Sequence, residues 1–348
     1  MNQQLTKLII VLCVMPLMCF SQTDINDIDA AYRSAPDDVN LYSDGNDTYS
    51  FAVGANSDDN LLFENFSIPD GNGGFTYFAI NELADRIELR RVDRNDDGNI
   101  SERHIIFFEE ANSGSSTFNL KPEYVATMEE ALRSRLINRG SDNVFANQGG
   151  TNINNIERID YIFEDGITVP TDTGEQGFLV LERGGNDDYR IAPITSLDNS
   201  NDPNGYGTVI AASLNDWVDS TTTLDTDVLN GFNGNLFETS DVGTQAIAGM
   251  FFSFADLGLS AGDTVYGYSL AGGDATTNST NFVNFTDSNY FPTNTNDSSN
   301  GNGGLDLVAG GGVVEVAFIH NSDGWVGGND PSGVSDCDEL IIVTGGTA

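Results

Sequence analysis

Short apolar runs broken by Gly/Asn/Asp clusters are the feature that most constrains this chain. Tyr49–Val53, Leu61–Ile68 and Phe75–Ile80 are separated by Gly54-Ala55-Asn56-Ser57-Asp58-Asp59-Asn60 and by Asp70-Gly71-Asn72-Gly73-Gly74. The runs are too short for helices, and the clusters favour turns, so the pattern predicts strands in a sandwich or barrel. It continues through Ile87–Val92, His104–Glu109, Thr151–Phe163, Phe178–Glu182, Tyr189–Ile194, Thr208–Ser213, Gln245–Phe254, Asp263–Leu270 and Val313–His320. The expected fold is therefore mainly β, with one or two β-sandwich (jelly-roll-like) domains. One helix is expected over 122–139. Pro122 suits its first turn, Glu129 and Glu130 lie toward its start, and Arg133, Arg135 and Arg139 precede Gly140. Val125, Met128, Leu132 and Leu136 recur at helical spacing and would face the sheet of the first domain.

Residues 1–22 read as a secretory signal. Lys7 precedes the apolar run Leu8–Phe20, which ends at Ser21-Gln22. That run is short for a bilayer, so no membrane span is expected once the signal is removed. Cys13 and Cys19 leave with it. Cys337 then stands alone, and no intrachain disulfide can form. Residues 23–47 read as an acidic leader of low order. Residues 48–200 read as the first sandwich and 205–345 as a second, more acidic β-rich domain, with one continuous domain as the alternative. The boundary rests on the Asn/Asp/Gly/Pro-rich stretch Ser196–Gly207.

The charge limits the partners. The formal net charge is -39, and losing Lys7 makes it -40. No Lys or Arg follows Arg190, whereas twenty Asp and Glu do. Nucleic acid is excluded because its phosphates require Lys and Arg, and anionic membranes are excluded for the same reason. Such self-repulsion needs salt or bound cations to offset it. Divalent cations are therefore the expected inorganic partners.

One loop has the residue types for such an ion. In Arg91–Ser101, Asp93, Asn95 and Asp97 alternate, Gly98 turns, and Asn99 and Ser101 follow. This is the front half of a calcium loop. Strands rather than helices flank it, and His104 stands where an EF-hand has a bidentate Glu, so it is a looser Asp/Asn loop. The expected metal ligands are Asp93, Asn95, Asp97, Asn99 and Ser101, and the expected cofactor is calcium. Asp58-Asp59-Asn60 and Asn186-Asp187-Asp188 are weaker candidates.

Catalytic constellations are sparse. His104 and His320 are the chain's two histidines, and each lies in or beside an expected strand. No Gly-x-Ser-x-Gly elbow occurs near a strand–helix step. Asp336 and Asp338 flank Cys337 and oppose a thiolate. Carboxylates for glycoside cleavage are abundant, and their abundance singles out no pair. Trp217, Trp325, Tyr206 and Tyr290 suit either sugar stacking or core packing.

Two segments carry a resemblance. One is Thr151–Thr195, with Asn-Ile-Asn-Asn-Ile-Glu-Arg-Ile-Asp-Tyr-Ile-Phe and then Gly-Phe-Leu-Val-Leu-Glu-Arg-Gly-Gly-Asn-Asp. The other is Phe251–Gly312, with Phe-Ala-Asp-Leu-Gly-Leu-Ser-Ala-Gly-Asp-Thr-Val-Tyr-Gly-Tyr-Ser-Leu and later Gly-Leu-Asp-Leu-Val-Ala-Gly-Gly-Gly. Together they resemble the N-terminal region of large secreted or cell-surface adhesin-like proteins of Bacteroidetes. There the region commonly precedes acidic calcium-binding repeats and a type IX secretion sorting domain. The resemblance implies export, surface display and adhesion to an extracellular glycan or surface protein, without catalytic residues. Neither repeats nor a sorting domain are read after His320. The expected function is that of a non-catalytic, calcium-stabilised surface or matrix protein. The alternative is a carbohydrate-binding module of a secreted polysaccharide-utilisation protein.

Overall fold

The computed structural model describes residues 25–34, 41–43, 45–53, 58–92, 103–114, 117–147, 155–232, 235–296, 302–321 and 324–326. The chain is mainly β, with curled sheets and, among the described residues, two short helices. The first part contributes β1 (Asp27–Ser34), β2 (Leu41–Ser43), β3 (Thr48–Phe51), β4 (Asp58–Pro69), β5 (Phe75–Leu83), β6 (Arg86–Arg91), β7 (Arg103–Gly114) and β8 (Thr117–Leu120). Helix α1 (Met128–Leu132) and β9 (Arg139–Ser141) follow, then β10 (Ile156–Thr168), β11 (Gln176–Arg183) and β12 (Tyr189–Leu197). The remainder is β13 (Pro203–Tyr206), β14 (Ile210–Ala212), β15 (Val218–Phe232), β16 (Asn235–Ser253), β17 (Thr264–Gly272), α2 (Ser279–Phe282), β18 (Gly312–Asn321) and β19 (Gly324–Val326). Among the described residues no helix is long and apolar enough to cross a membrane.

The larger sheet has the order β1-β4-β5-β18-β11-β16-β15-β7-β8-β3-β2, with β19 beside β18 and β9 beside β7. The smaller has the order β13-β12-β17-β10-β6, with β14 beside β12. Every pairing is antiparallel except β3 with β8. Alternation along β11 and β16 separates two cores. Phe178, Val180, Met250 and Phe252 face the smaller sheet, where they join Ile159, Tyr161, Ile191 and Tyr268. The rings of Tyr161 and Tyr268 stack there at 4.5 Å. Leu179, Leu181 and Phe251 point the other way, into a core with Phe66, Phe78, Phe107 and Val228. The larger sheet closes around this second core, and Ile25 and Ile28 pack over Gly249 of β16.

Three expectations are corrected. The acidic leader is not wholly outside the fold: Asp27–Ser34 pairs along β4, because Ile28 and its neighbour Ile25 are buried in the second core. The helix expected over 122–139 is one short turn, Met128–Leu132, capped by Thr127 Oγ1, which accepts the Glu130 amide at 3.2 Å. Strand pairing takes the chain beyond it. The Ile137 amide donates to Leu61 O and the Phe63 amide to Arg135 O, both at 2.8 Å, while 139–141 pairs with β7. Arg133 and Arg135 donate to the carbonyls of Ala84 and Ile80 instead of closing a helix end.

The boundary expected at 196–207 does not separate two sheets. Strand β11 lies between β18 and β16, and β17 lies between β10 and β12. Each sheet is built from both sides of that stretch, part of which is itself β13. A chain ending at residue 200 would lack β13 to β19 and leave both edges of β11 unpaired. Such a fragment is expected to give no cooperative melt and no dispersed amide spectrum, whereas the full chain unfolds in one transition; circular dichroism and NMR check this.

Candidate functional site

The loop expected to hold calcium, with Asp93, Asn95, Asp97, Asn99 and Ser101, lies outside the described residues. Its ends are the β6 and β7 termini, Arg91 and Arg103. The two weaker acidic candidates are described. Asp58-Asp59-Asn60 opens β4 and pairs rather than looping out. Asn138 Nδ2 donates to Asp59 O at 2.8 Å, and Asn60 Oδ1 accepts the Glu123 amide at 3.2 Å. Asn186-Asp187-Asp188 forms the turn after β11. There Glu182 is fully buried and Asp187 nearly so. Burial, and then the Asp187 carboxyl, hold Glu182 well above the usual carboxylate range, so Glu182 keeps its proton and donates it to Asp187. The Asn186 amide, oriented to donate, reaches Glu182 Oε1 at 3.2 Å and Asp187 Oδ2 at 2.8 Å.

Two ion networks use arginines inside the fold. Asp160, on β10, is fully buried. It accepts Arg158 Nε at 2.6 Å, Arg90 Nε at 2.6 Å and the Ser269 hydroxyl at 2.6 Å. Burial alone would raise this carboxyl, but Arg158, Arg90 and Ser269 outweigh it and hold it below the usual range. Arg158 also lies 5.1 Å from the Tyr206 ring centroid and donates to Phe282 O at 2.6 Å. Arg183, at the end of β11, meets Asp142 at 2.7 Å and Asp306 at 2.6 Å, with its guanidinium 4.5 Å from the Phe107 centroid.

Three of the four aromatic candidates, Trp217, Tyr206 and Tyr290, pack on the core, and the side chain of Trp325 lies outside the described residues. Trp217 donates Nε1 to Asp187 O at 2.8 Å and packs on Tyr189. Tyr206 is buried, and Tyr290 packs against the outer core of the smaller sheet. His104 accepts the Met128 amide on Nδ1 at 3.1 Å, a neutral, structural role. Burial, and then Arg91, hold its pKa down at about 4.

One carboxylate group was not anticipated from the sequence. Glu110 of β7, Asp227 of β15 and Asp241 of β16 stand on three adjacent strands, each with one oxygen within 4.8 Å of the others. Asp227 is opposite Asp241 in register, and a bulge at Thr226/Asp227 adjusts the pairing. Alternating acids at Asp225 and Asp227 are the only local signal; Glu110 is far away in the chain, and only pairing brings it in. The adjacent acid Glu109 points to the opposite face, where Lys121, Tyr32 and Asn138 all donate to it. Against known protein families, characterised proteins and solved structures, the chain matches none.

Two outcomes are expected. Asp160→Asn removes the charge facing Arg158 and Arg90 in a buried site, a loss of about 3–5 kcal/mol in urea unfolding. For His104, the folded pKa of about 4 lies below the ordinary 6.5. The unfolded chain thus binds a proton that the fold refuses. The stability contribution is full above about 6.5 and is lost as pH falls toward 4. His104→Asn, which retains an acceptor for the Met128 amide, is expected to flatten that part of the urea-midpoint profile between pH 7 and 4.

Proposed function

We propose that the chain is an exported, non-catalytic surface or matrix protein with an adhesive role, ordered by calcium. The observation that supports this most is the direction of its positive charge. Arg139, Arg158 and Arg183 are buried within the fold, and Arg90 is turned inward onto Asp160. With these four cations used in this way, few such as Arg33, Arg86 and Arg133 remain near the surface, and carboxylates outnumber them there. Such a surface repels others of its kind in the absence of divalent cations and is bridged to them when such cations bind. Adhesion to acidic glycans or acidic surface proteins follows from that electrostatics.

One observation favours the second reading, a carbohydrate-binding module. An open groove of about 490 Å³ runs between β6 and α1, lined by Asp85, Arg86, Tyr124, Glu129, Glu130 and Arg133. Its polar walls and single ring are of the kind that hold a sugar.

The test is a binding assay of the full chain on immobilised acidic and neutral polysaccharides, with millimolar calcium or with EDTA. Calcium-dependent capture on acidic polysaccharide alone is the expected result. Capture that persists in EDTA and disappears in Tyr124→Ala would transfer the function to the groove. Release of soluble oligosaccharide would overturn the non-catalytic reading.

A further inference from the structure

We propose that Glu110, Asp227 and Asp241 hold a single calcium ion that ties β7, β15 and β16 together. This deepens the calcium-ordered reading and rests on it for the identity of the ion; the site itself is argued from geometry.

Strand β15 lies between β7 and β16. Asp227 is opposite Phe108 on one side and Asp241 on the other. Glu110, two residues from Phe108, therefore shares the Asp227 face. The bulge at Thr226/Asp227, with Gly243 at φ 71° across from it, brings the β16 acid onto that face. Bulges re-aim side chains in this way next to functional sites. The oxygens lie within 4.8 Å of one another. That is the span across an ion bound at ~2.4 Å, the ordinary calcium–oxygen distance.

The burial is graded. Asp227 is 1% exposed and Glu110 8%, while Asp241 is open to solvent. The ion would be held from beneath and hydrated from above. Calcium accepts water within an irregular six- to eight-fold shell, whereas magnesium demands near-ideal octahedral geometry. All-oxygen donors disfavour zinc and copper.

A second observation is independent of the clustering. Asp227 Oδ2 is buried without a hydrogen-bond partner. A buried carboxyl left so is costly. The charged groups acting most strongly on Asp227 are all acids: Glu110, Glu238, Asp241 and Asp225. Glu109, one residue from Glu110, has the Lys121 ammonium at 2.5 Å. On the opposite face the buried Asp227 Oδ2 is the oxygen that a divalent ion would satisfy.

The experiment uses the full chain stripped with EDTA and then given calcium, followed by scanning calorimetry and isothermal titration. Wild type is expected to gain roughly 5 °C in Tm at a hundredfold excess over Kd. Asp227→Asn and Asp241→Asn should each reduce calcium affinity tenfold or more and lose most of that gain. In EDTA, Asp227→Asn should melt above wild type, since it removes the uncompensated buried charge. Asp241 is exposed, so Asp241→Asn keeps the fold and the test remains decisive if Asp227→Asn does not fold. Full retention of the gain in both variants overturns the inference. If Asp93→Ala with Asp97→Ala alone abolishes the gain, the ion belongs to that loop; the inference falls and the calcium-ordered reading stands. No gain in wild type removes both.

Discussion

Strand β11 is buried on both faces, and the rest of the fold is arranged to keep it so. Phe178, Val180 and Glu182 face the smaller sheet, while Leu179, Leu181 and Arg183 face the core enclosed by the larger one. A strand covered on both sides needs two layers, and here the larger sheet supplies one by curling back on itself. Its neighbours β16 and β18 come from far along the chain, so β11 cannot be completed until most of the polypeptide has been made. The two polar residues at its end are handled differently. Arg183 meets two aspartates and a ring, and Glu182 keeps its proton beside Asp187.

Electrostatics follows from the same economy of positive charge. The chain has few cations, and several are drawn into the interior, where a low dielectric makes each pairing strong and each unpaired charge costly. Asp160 has two arginines, Glu109 has the lysine, and Arg183 is shared by Asp142 and Asp306. The acids of Glu110, Asp227 and Asp241 instead meet one another in a partly enclosed place, where Asp227 Oδ2 is buried without a hydrogen-bond partner. Proposed calcium binding and the proposed surface role are two consequences of one charge imbalance, acting on the inside and outside of the same sheet.

The sequence showed much of the strand pattern because alternation and turn residues are local. Tyr189–Ile194, Phe178–Glu182 and Asp263–Leu270 all lie within strands. It missed β15, whose Asp-Ser-Thr-Thr-Thr-Leu-Asp-Thr-Asp segment looks like a polar loop. That strand is held by long pairing with β16 and β7, and among its described side chains only Leu224, Val228 and Leu229 are buried and apolar. The helix over 122–139 failed for a related reason: its spacing was helical, but Leu61, Phe63 and β7 offered the backbone stronger partners.

By itself, the sequence determined the β class and the excess of acid, because composition and short-range periodicity carry that information. Only the tertiary structure decided that the two halves share both sheets, and which acids meet a cation and which meet one another. Glu109 and Glu110 make the point. They are adjacent and identical in kind, yet the pleat sends them to opposite faces, one to Lys121 and the other to Asp227 and Asp241. Strand pairing between distant segments sets that difference, and no local pattern encodes it.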